Sequence, residues 1–114
     1  MAQRYPIYLA GEWVESDQPL EVINPYNGEV VGTTFLASRE QLERAITAAE
    51  EVFPTLRSMP TYDRANLLKA LAGKLRNCRD DIARMIALEA GKPIRDAEVE
   101  ADRAVFTIET AAEE

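Results

Sequence analysis

The side chains that could carry chemistry in this sequence are one thiol and several pairs of carboxylates. Cys78 is the only cysteine, and its neighbours are Arg76, Asn77, Arg79 and Asp80. Nearby arginines favour a thiolate, but a nucleophilic cysteine also needs a base and oxyanion donors, and the sequence contains no histidine. We therefore expect Cys78 to be an ordinary partly buried or surface thiol rather than a reactive one.

The carboxylates occur in pairs that could act as acid and base. The pairs are Glu40/Glu43, Glu50/Glu51, Asp80/Asp81, Glu98/Asp102 and Glu113/Glu114. On helices, such pairs usually belong to a solvated face. For Glu98 and Asp102 we expect surface ion pairs with Arg95 and Arg103.

The composition narrows the classes of function. The 114 residues include 13 Lys+Arg and 20 Asp+Glu, which gives a net charge of −7 and no basic cluster. Binding to nucleic acid or to an anionic membrane surface is therefore not expected. The first residues lack the apolar core of a secretion signal, so the expected location is the cytoplasm. The five glycines never cluster, so no phosphate-binding loop is predicted.

The first third of the chain has the pattern of strands. Ala10-Gly11 separates the runs 7–9 and 12–14, which predicts a short hairpin. A second hairpin is predicted from runs 20–23 and 30–33, and both Asn27 and Gly28 are expected to adopt positive φ in its turn. Pro25 has no amide donor, so the strand before it should end near Asn24 or lie at an edge.

The remaining two thirds have helical periodicity. Ser38 and Gln41 form a capping-box pattern before the first helix, which Pro54 is predicted to end. Thr61 is the predicted N-cap of the second helix. We also expect a break near Asn77-Cys78, a left-handed cap at Gly91, and Pro93 in the first turn of the last helix. The apolar face of that last helix comprises Ala97, Ala101, Ala104, Val105, Ile108, Ala111 and Ala112.

The last helix has no stop signal before Glu113-Glu114. We therefore expect that the chain is a segment cut within a helix. Segments 16–19 and 56–60 have the length of loops only, so a single unit without an internal domain boundary is predicted.

The order of these parts resembles the opening of the aldehyde dehydrogenase superfamily over nearly the whole chain. The resemblance rests on five pieces at the right separations: Tyr8-Leu9-Ala10-Gly11-Glu12-Trp13-Val14, Ile23-Asn24-Pro25-Tyr26-Asn27-Gly28-Glu29-Val30-Val31-Gly32, Ala48-Ala49-Glu50-Glu51-Val52-Phe53 with Leu56-Arg57, Arg64 to Leu75, and Leu88-Glu89-Ala90-Gly91-Lys92-Pro93 followed by a helix to Glu114. Residues 89–114 most resemble the lactaldehyde and non-phosphorylating glyceraldehyde-3-phosphate dehydrogenase branch.

The resemblance implies an α+β segment, the leading part of an α/β cofactor-binding domain. Strands are expected over about 6–36 and three or four helices over about 38–114. The parent enzyme would use NAD or NADP to oxidise a small aldehyde to an acid and would form a homodimer or homotetramer. In the family, the nucleophilic cysteine, the glutamate base, the oxyanion asparagine and the cofactor glycines lie beyond the region that this chain matches, so no catalytic residue is assigned here.

The resemblance also implies two candidate sites. Several family members hold a monovalent cation through backbone carbonyls at the positions of Ile23 and Glu89; the alternative is carbonyls that bind water or nothing. Arg103 matches an arginine that binds the substrate phosphate in the glyceraldehyde-3-phosphate branch, since a guanidinium offers a planar fork to an oxyanion. The alternative for Arg103 is an ion pair with Glu98 or Glu100.

A second class of function is a free-standing, non-catalytic interaction module whose apolar helix faces meet another protein. Both classes leave apolar surface exposed, so the isolated chain is expected to be weakly stable and to self-associate. They differ in the partner, which is the remainder of the same enzyme in the first class and a different protein in the second.

Overall fold

The computed structural model describes residues 3–114, with all strands before all helices. The strands are β1 (Gln3–Arg4), β2 (Ile7–Leu9), β3 (Glu12–Val14), β4 (Pro19–Ile23) and β5 (Val30–Phe35). The helices are α1 (Arg39–Ser58), α2 (Thr61–Asn77), α3 (Arg79–Ala90) and α4 (Ile94–Glu113). The predicted order of hairpins followed by three or four helices is confirmed.

The chain divides into two compact units, the first ending at Ser58 and the second spanning Met59–Glu114. The sequence predicted a single unit, with 56–60 as a loop-sized segment; the boundary lies inside that segment. No helix within residues 3–114 is long and apolar enough to cross a membrane.

The first unit contains both sheets and α1. Strands β2 and β3 form the predicted hairpin, and its two-residue loop has positive φ at Ala10 (49°) and Gly11 (87°). This is the backbone twist that suits a tight hairpin, and Ala10 adopts it against the preference of residues with a Cβ.

The second sheet has the strand order β1-β5-β4. Strands β4 and β5 are antiparallel as predicted, whereas β1, which the sequence analysis missed, pairs in parallel with β5. The turn 24–29 differs from the prediction, because Gly28 has positive φ (75°) and Asn27 does not. Buried Asn24 closes the turn: its Oδ1 accepts from the Tyr26 amide at 2.9 Å, and its carbonyl accepts from the Gly28 amide at 2.9 Å.

Helix α1 begins with the predicted capping box. The Gln41 amide donates to Ser38 Oγ at 3.2 Å, and the Ser38 amide donates to Gln41 Oε1 at 2.9 Å. The prediction that Pro54 ends this helix is wrong, because α1 continues to Ser58. Proline fixes φ near the helical value and costs one hydrogen bond, so a helix can continue through it when the turns on either side are intact.

The second unit consists of α2, α3 and α4, with α4 packed against both other helices. Its core is made of small side chains: Ala83, Ala97 and Ala101 are at most 1% exposed, and Ile82, Ile86 and Ala87 pack around them. Small residues let helix backbones approach closely.

The helix boundaries of the second unit largely follow the sequence. The predicted break at 77–78 is confirmed, and Gly91 ends α3 with φ 63° in the left-handed region as predicted. The prediction that Thr61 is the N-cap of α2 is wrong, because Thr61 is the first helical residue and Pro60 takes the cap position.

Candidate functional site

Cys78 lies at the junction of α2 and α3, where its side chain is exposed. Its thiol donates to the carbonyl of Lys74 at 3.2 Å and points at the carbonyl of Leu75 at 3.6 Å. These carbonyls belong to the last turn of α2, where carbonyls have no helical donor, so the thiol satisfies acceptors at that helix end. The geometry is therefore that of a residue capping a helix end.

Arg79, the next residue, organises the acidic side chains of the second unit. Its Nε and Nη2 donate to the two carboxylate oxygens of Asp102 on α4 at 2.9 and 3.0 Å. Nη1 donates to Asp80 at 2.9 Å and lies 3.7 Å from Glu98. The hydrogen bond from Arg79 is the main cause that lowers the pKa of Asp102, and the bonds to Asp102 and then to Asp80 raise the pKa of Arg79.

The ion pairs predicted for Glu98 and Asp102 are wrong in their partners. Arg79, 23 positions from Asp102 in sequence, takes the place expected for Arg95 and Arg103. Residues on α3 and α4 meet because the helices pack, and no local spacing rule on one helix could identify this pair.

Arg103 has an exposed side chain on α4. Its expected alternative, an ion pair with Glu98 or Glu100, is not formed: Glu98 lies beside Arg79, and Glu100 accepts from Lys92 Nζ at 2.6 Å. Within residues 3–114 the Arg103 guanidinium has no hydrogen-bond or ion-pair partner. It is therefore available to an anion from outside the described chain.

The side chains near Arg103 on α4 are apolar and exposed. Val99 lies one turn before it and Phe106 one turn after it, with 58% and 69% of their surfaces accessible. Phe106 also lines a cleft of about 350 Å³ between α2 and α4, together with Lys69, Glu109, Thr110 and Glu113. Lys69 pairs with Glu113 at 3.0 Å across this cleft, and Glu109 pairs with Arg76.

The two carbonyls of the candidate cation site lie in different units. Ile23 is the last residue of β4, beside a bulge between Val22 and Ile23. Glu89 lies in the last turn of α3, where the residue four positions later is Pro93. Because α3 ends at Ala90 and Gly91 is left-handed, the Glu89 carbonyl lies among the last carbonyls of the helix, which have no helical donor, so one oxygen ligand is free. Within residues 3–114, no group of three or more Cys, Asp or Glu side chains could hold a metal.

Comparison with protein families identifies the family of the chain. The model of the aldehyde dehydrogenase family matches residues 13–114. The chain belongs to this family.

Curated aldehyde dehydrogenases match the chain along most of its length. Lactaldehyde dehydrogenase of Methanocaldococcus jannaschii is 33% identical over 106 residues, which are 93% of this chain and 23% of that protein. Glutarate-semialdehyde dehydrogenase of Pseudomonas putida is 35% identical over 97% of this chain and 24% of that protein. The chain thus spans about a quarter of the length of these aldehyde dehydrogenases.

Solved aldehyde dehydrogenases share the fold. Aldehyde dehydrogenase 21 of Physcomitrella patens, in complex with the product succinate, has a TM-score of 0.94 and 33% identity over 99% of this chain and 24% of that one. Lactaldehyde dehydrogenase of Escherichia coli has a TM-score of 0.93 and 29% identity over the same shares. Betaine aldehyde dehydrogenase of Staphylococcus aureus in complex with NAD+ has a TM-score of 0.87 and 31% identity over 92% of this chain and 22% of that one.

Proposed function

We propose that this chain is the N-terminal part of an NAD(P)-dependent aldehyde dehydrogenase that oxidises an aldehyde to a carboxylic acid. The observation that carries the proposal is the agreement with a solved family member over 99% of this chain at a TM-score of 0.94, while the chain covers 24% of that relative. The nucleophile, the base and the cofactor site are assigned to the rest of the enzyme, so residues 1–114 alone are expected to be inactive.

The role of this segment is to form part of the cofactor-binding domain and the border of the substrate entrance. Its own chemistry supports a structural role, since the Cys78 thiol caps a helix end. The second unit presents large apolar side chains, among them Leu67 at 59% and Leu71 at 42% exposure, which the rest of the enzyme would cover.

Arg103 is proposed to bind the anionic group of the substrate. Its guanidinium is exposed and has no partner within residues 3–114, and a planar fork suits a phosphate or a carboxylate. The names of several relatives denote aldehydes with a carboxylate, such as succinate semialdehyde and glutarate semialdehyde, or a small polar aldehyde, lactaldehyde. A small polar or anionic aldehyde is therefore the proposed substrate class.

The Ile23 and Glu89 carbonyls are proposed to bind a monovalent cation in the parent enzyme. Support comes from the Glu89 carbonyl, which the end of α3 at Ala90 and the left-handed Gly91 leave without a helical donor. In the parent enzyme, Na+ or K+ should raise the Tm above its value in a bulky organic cation, because a bound cation stabilises the folded state; equal Tm values would contradict the site.

The parent enzyme is further proposed to be a cytoplasmic homodimer or homotetramer that uses NAD or NADP. A relative bound to NAD+ supports a nicotinamide cofactor but does not separate the two. Fractionation of the source cells, followed by native mass measurement of the cytoplasmic protein, tests location and assembly together. A protein found only with membranes, or a monomer at all concentrations, would overturn this part.

The function is tested on the protein purified from its source cells with an antibody against residues 1–114. Formation of NADH or NADPH is followed with lactaldehyde and with succinate semialdehyde, each with NAD+ and with NADP+. Turnover of at least one aldehyde is expected. Absence of turnover, together with a stoichiometric partner of unrelated sequence, would instead favour the interaction module.

A further inference from the structure

Lys92, in the short loop between α3 and α4, holds a carboxylate of α4. Its Nζ donates to Oε2 of Glu100 at 2.6 Å, although the two residues are eight positions apart in sequence. The side chains of this pair are 39% and 47% exposed, so the pair lies at the surface of the second unit. Lys92 thus holds an acid that lies one helical turn before Arg103.

Glu100 is placed to form an ion pair with Arg103. The two residues are three positions apart on α4, so their side chains are neighbours on the surface of the helix. The carboxylate precedes the cation, which is the more favourable order with respect to the helix dipole. In the described part of the chain, however, the Glu100 carboxylate bonds to Lys92 and not to Arg103.

The other two acids that shortly precede Arg103 are less able to compete for it. Asp102 accepts two hydrogen bonds from Arg79 at 2.9 and 3.0 Å, and adjacent residues of a helix do not face each other. Glu98 lies 3.7 Å from the same Arg79 guanidinium. At about 100° per residue, Glu98 is also roughly 140° from Arg103 around α4. Among these three acids, Glu100 is therefore the competitor that has to be held away.

We propose that Lys92 is a positioning residue for an anionic substrate: by holding Glu100, it keeps the Arg103 guanidinium free to bind the carboxylate or phosphate of the aldehyde. This inference rests on the proposed role of Arg103 and adds a residue on which that role depends. Without the Lys92 charge, Glu100 pairs with Arg103. A substrate anion then has to displace a carboxylate from the guanidinium and to approach its negative charge.

Removal of the Lys92 charge in the parent enzyme tests this role. Lys92→Met keeps most of the length of the side chain and should raise KM for succinate semialdehyde, an anionic aldehyde, about three- to fivefold, with kcat within about twofold of wild type. The effect is modest because an ion pair between exposed side chains is weak. KM for a neutral aldehyde such as propionaldehyde should not change. Lys92→Arg keeps the charge and should stay within about twofold of wild type for both aldehydes.

Further variants separate this role from a general effect of charge. Glu100→Gln alone should leave KM for succinate semialdehyde within about twofold of wild type, because Lys92 already holds Glu100 away. A long-range effect of charge would instead lower KM by about the factor by which Lys92→Met raises it. Lys92→Met combined with Glu100→Gln should return KM to within about twofold of wild type, because the competitor is gone. Arg84→Met is the matched control: Arg84 pairs with Asp81 on α3 at 3.3 Å, and its loss should leave KM unchanged.

Arg103→Leu distinguishes failure of this inference from failure of the proposed function. In an Arg103→Leu background, Lys92→Met should change KM by less than about twofold, because Lys92 acts through Arg103. If Arg103→Leu raises KM for succinate semialdehyde but Lys92→Met does not, the role of Lys92 is overturned and that of Arg103 stands. An equal rise of KM for the neutral aldehyde, or a failure of Glu100→Gln to restore Lys92→Met, overturns it as well. If Arg103→Leu leaves KM unchanged, both roles are overturned.

Discussion

Arg79 and Asp102 form a two-point contact between the first residue of α3 and the middle of α4, with N–O distances of 2.9 and 3.0 Å. Planar guanidinium and carboxylate groups that meet in this way fix relative orientation as well as distance. The contact lies beside the small core of Ala83, Ala97 and Ala101, where close helix approach leaves little apolar area to set the register. We infer that Arg79 contributes to the alignment of α3 on α4.

Asp102→Asn should lower the thermal stability of the second unit at pH 7, because the pKa of Asp102 is lowered in the folded state. A lowered carboxyl pKa gives stability that is present above the unfolded pKa and lost as the pH falls through the folded one. The Tm difference between Asp102→Asn and wild type should therefore shrink below about pH 4. A difference that is constant from pH 7 to pH 3 would contradict this linkage.

Gly91→Ala should destabilise the chain by about 1 kcal/mol, because φ at Gly91 is 63° and a Cβ is strained there. Gly73→Ala is the matched control, since Gly73 lies within α2 and an added Cβ meets nothing within 4 Å. That variant should stabilise the chain by about 0.5–1 kcal/mol through helix propensity. Urea unfolding followed by far-UV circular dichroism measures both, and equal effects of the two would contradict the cap assignment.

Ala101→Leu should cost about 1–3 kcal/mol, because Ala101 is 1% exposed and the helices close around it. Ala104→Leu places the same side chain on an exposed position of α4 and should change the free energy of unfolding by less than about 0.5 kcal/mol. Hydrogen exchange of the α3 and α4 amides distinguishes the two. If the α3 and α4 amides lost protection equally in both variants, the small size of the Ala101 side chain would not be what allows these helices to pack closely.

Arg103→Leu in the parent enzyme should raise KM for an anionic aldehyde about tenfold or more, with little effect on a neutral aldehyde, because it removes one charged contact. Arg103→Lys should recover part of the loss, and Arg95→Leu is a control at another exposed arginine of α4. An unchanged KM for a phosphorylated or carboxylated aldehyde would exclude this role.

The sequence predicted the features that depend on neighbouring residues. The β2–β3 and β4–β5 hairpins, the Ser38–Gln41 capping box and the Gly91 cap all follow from local turn and cap chemistry. The parallel pairing of β1 with β5 joins residues 29 positions apart, and two residues of β1 carry too little pattern to reveal it. The prediction that Pro54 ends α1 fails because the fixed φ of proline is compatible with a helix, so α1 continues to Ser58.

The features of the candidate site also fall into two groups, those that neighbouring residues predict and those that depend on helix packing. The free carbonyl of Glu89 can be derived from sequence, since Gly91 is recognisable as the cap that ends the helix two residues later. The availability of Arg103 could not be derived, because it depends on Lys92 and Arg79 taking the carboxylates of Glu100 and Glu98. Arg79 itself was missed for the same reason: its partners become neighbours only when α3 and α4 pack.

The intact mass of the endogenous product, detected in source cells with an antibody against residues 1–114, tests the central claim most directly. If the chain is the leading part of an aldehyde dehydrogenase, the product should be roughly four times the 12.7 kDa of this chain, since the chain covers 23–24% of its relatives. A product with a mass near 12.7 kDa would contradict the claim and favour a free-standing interaction module.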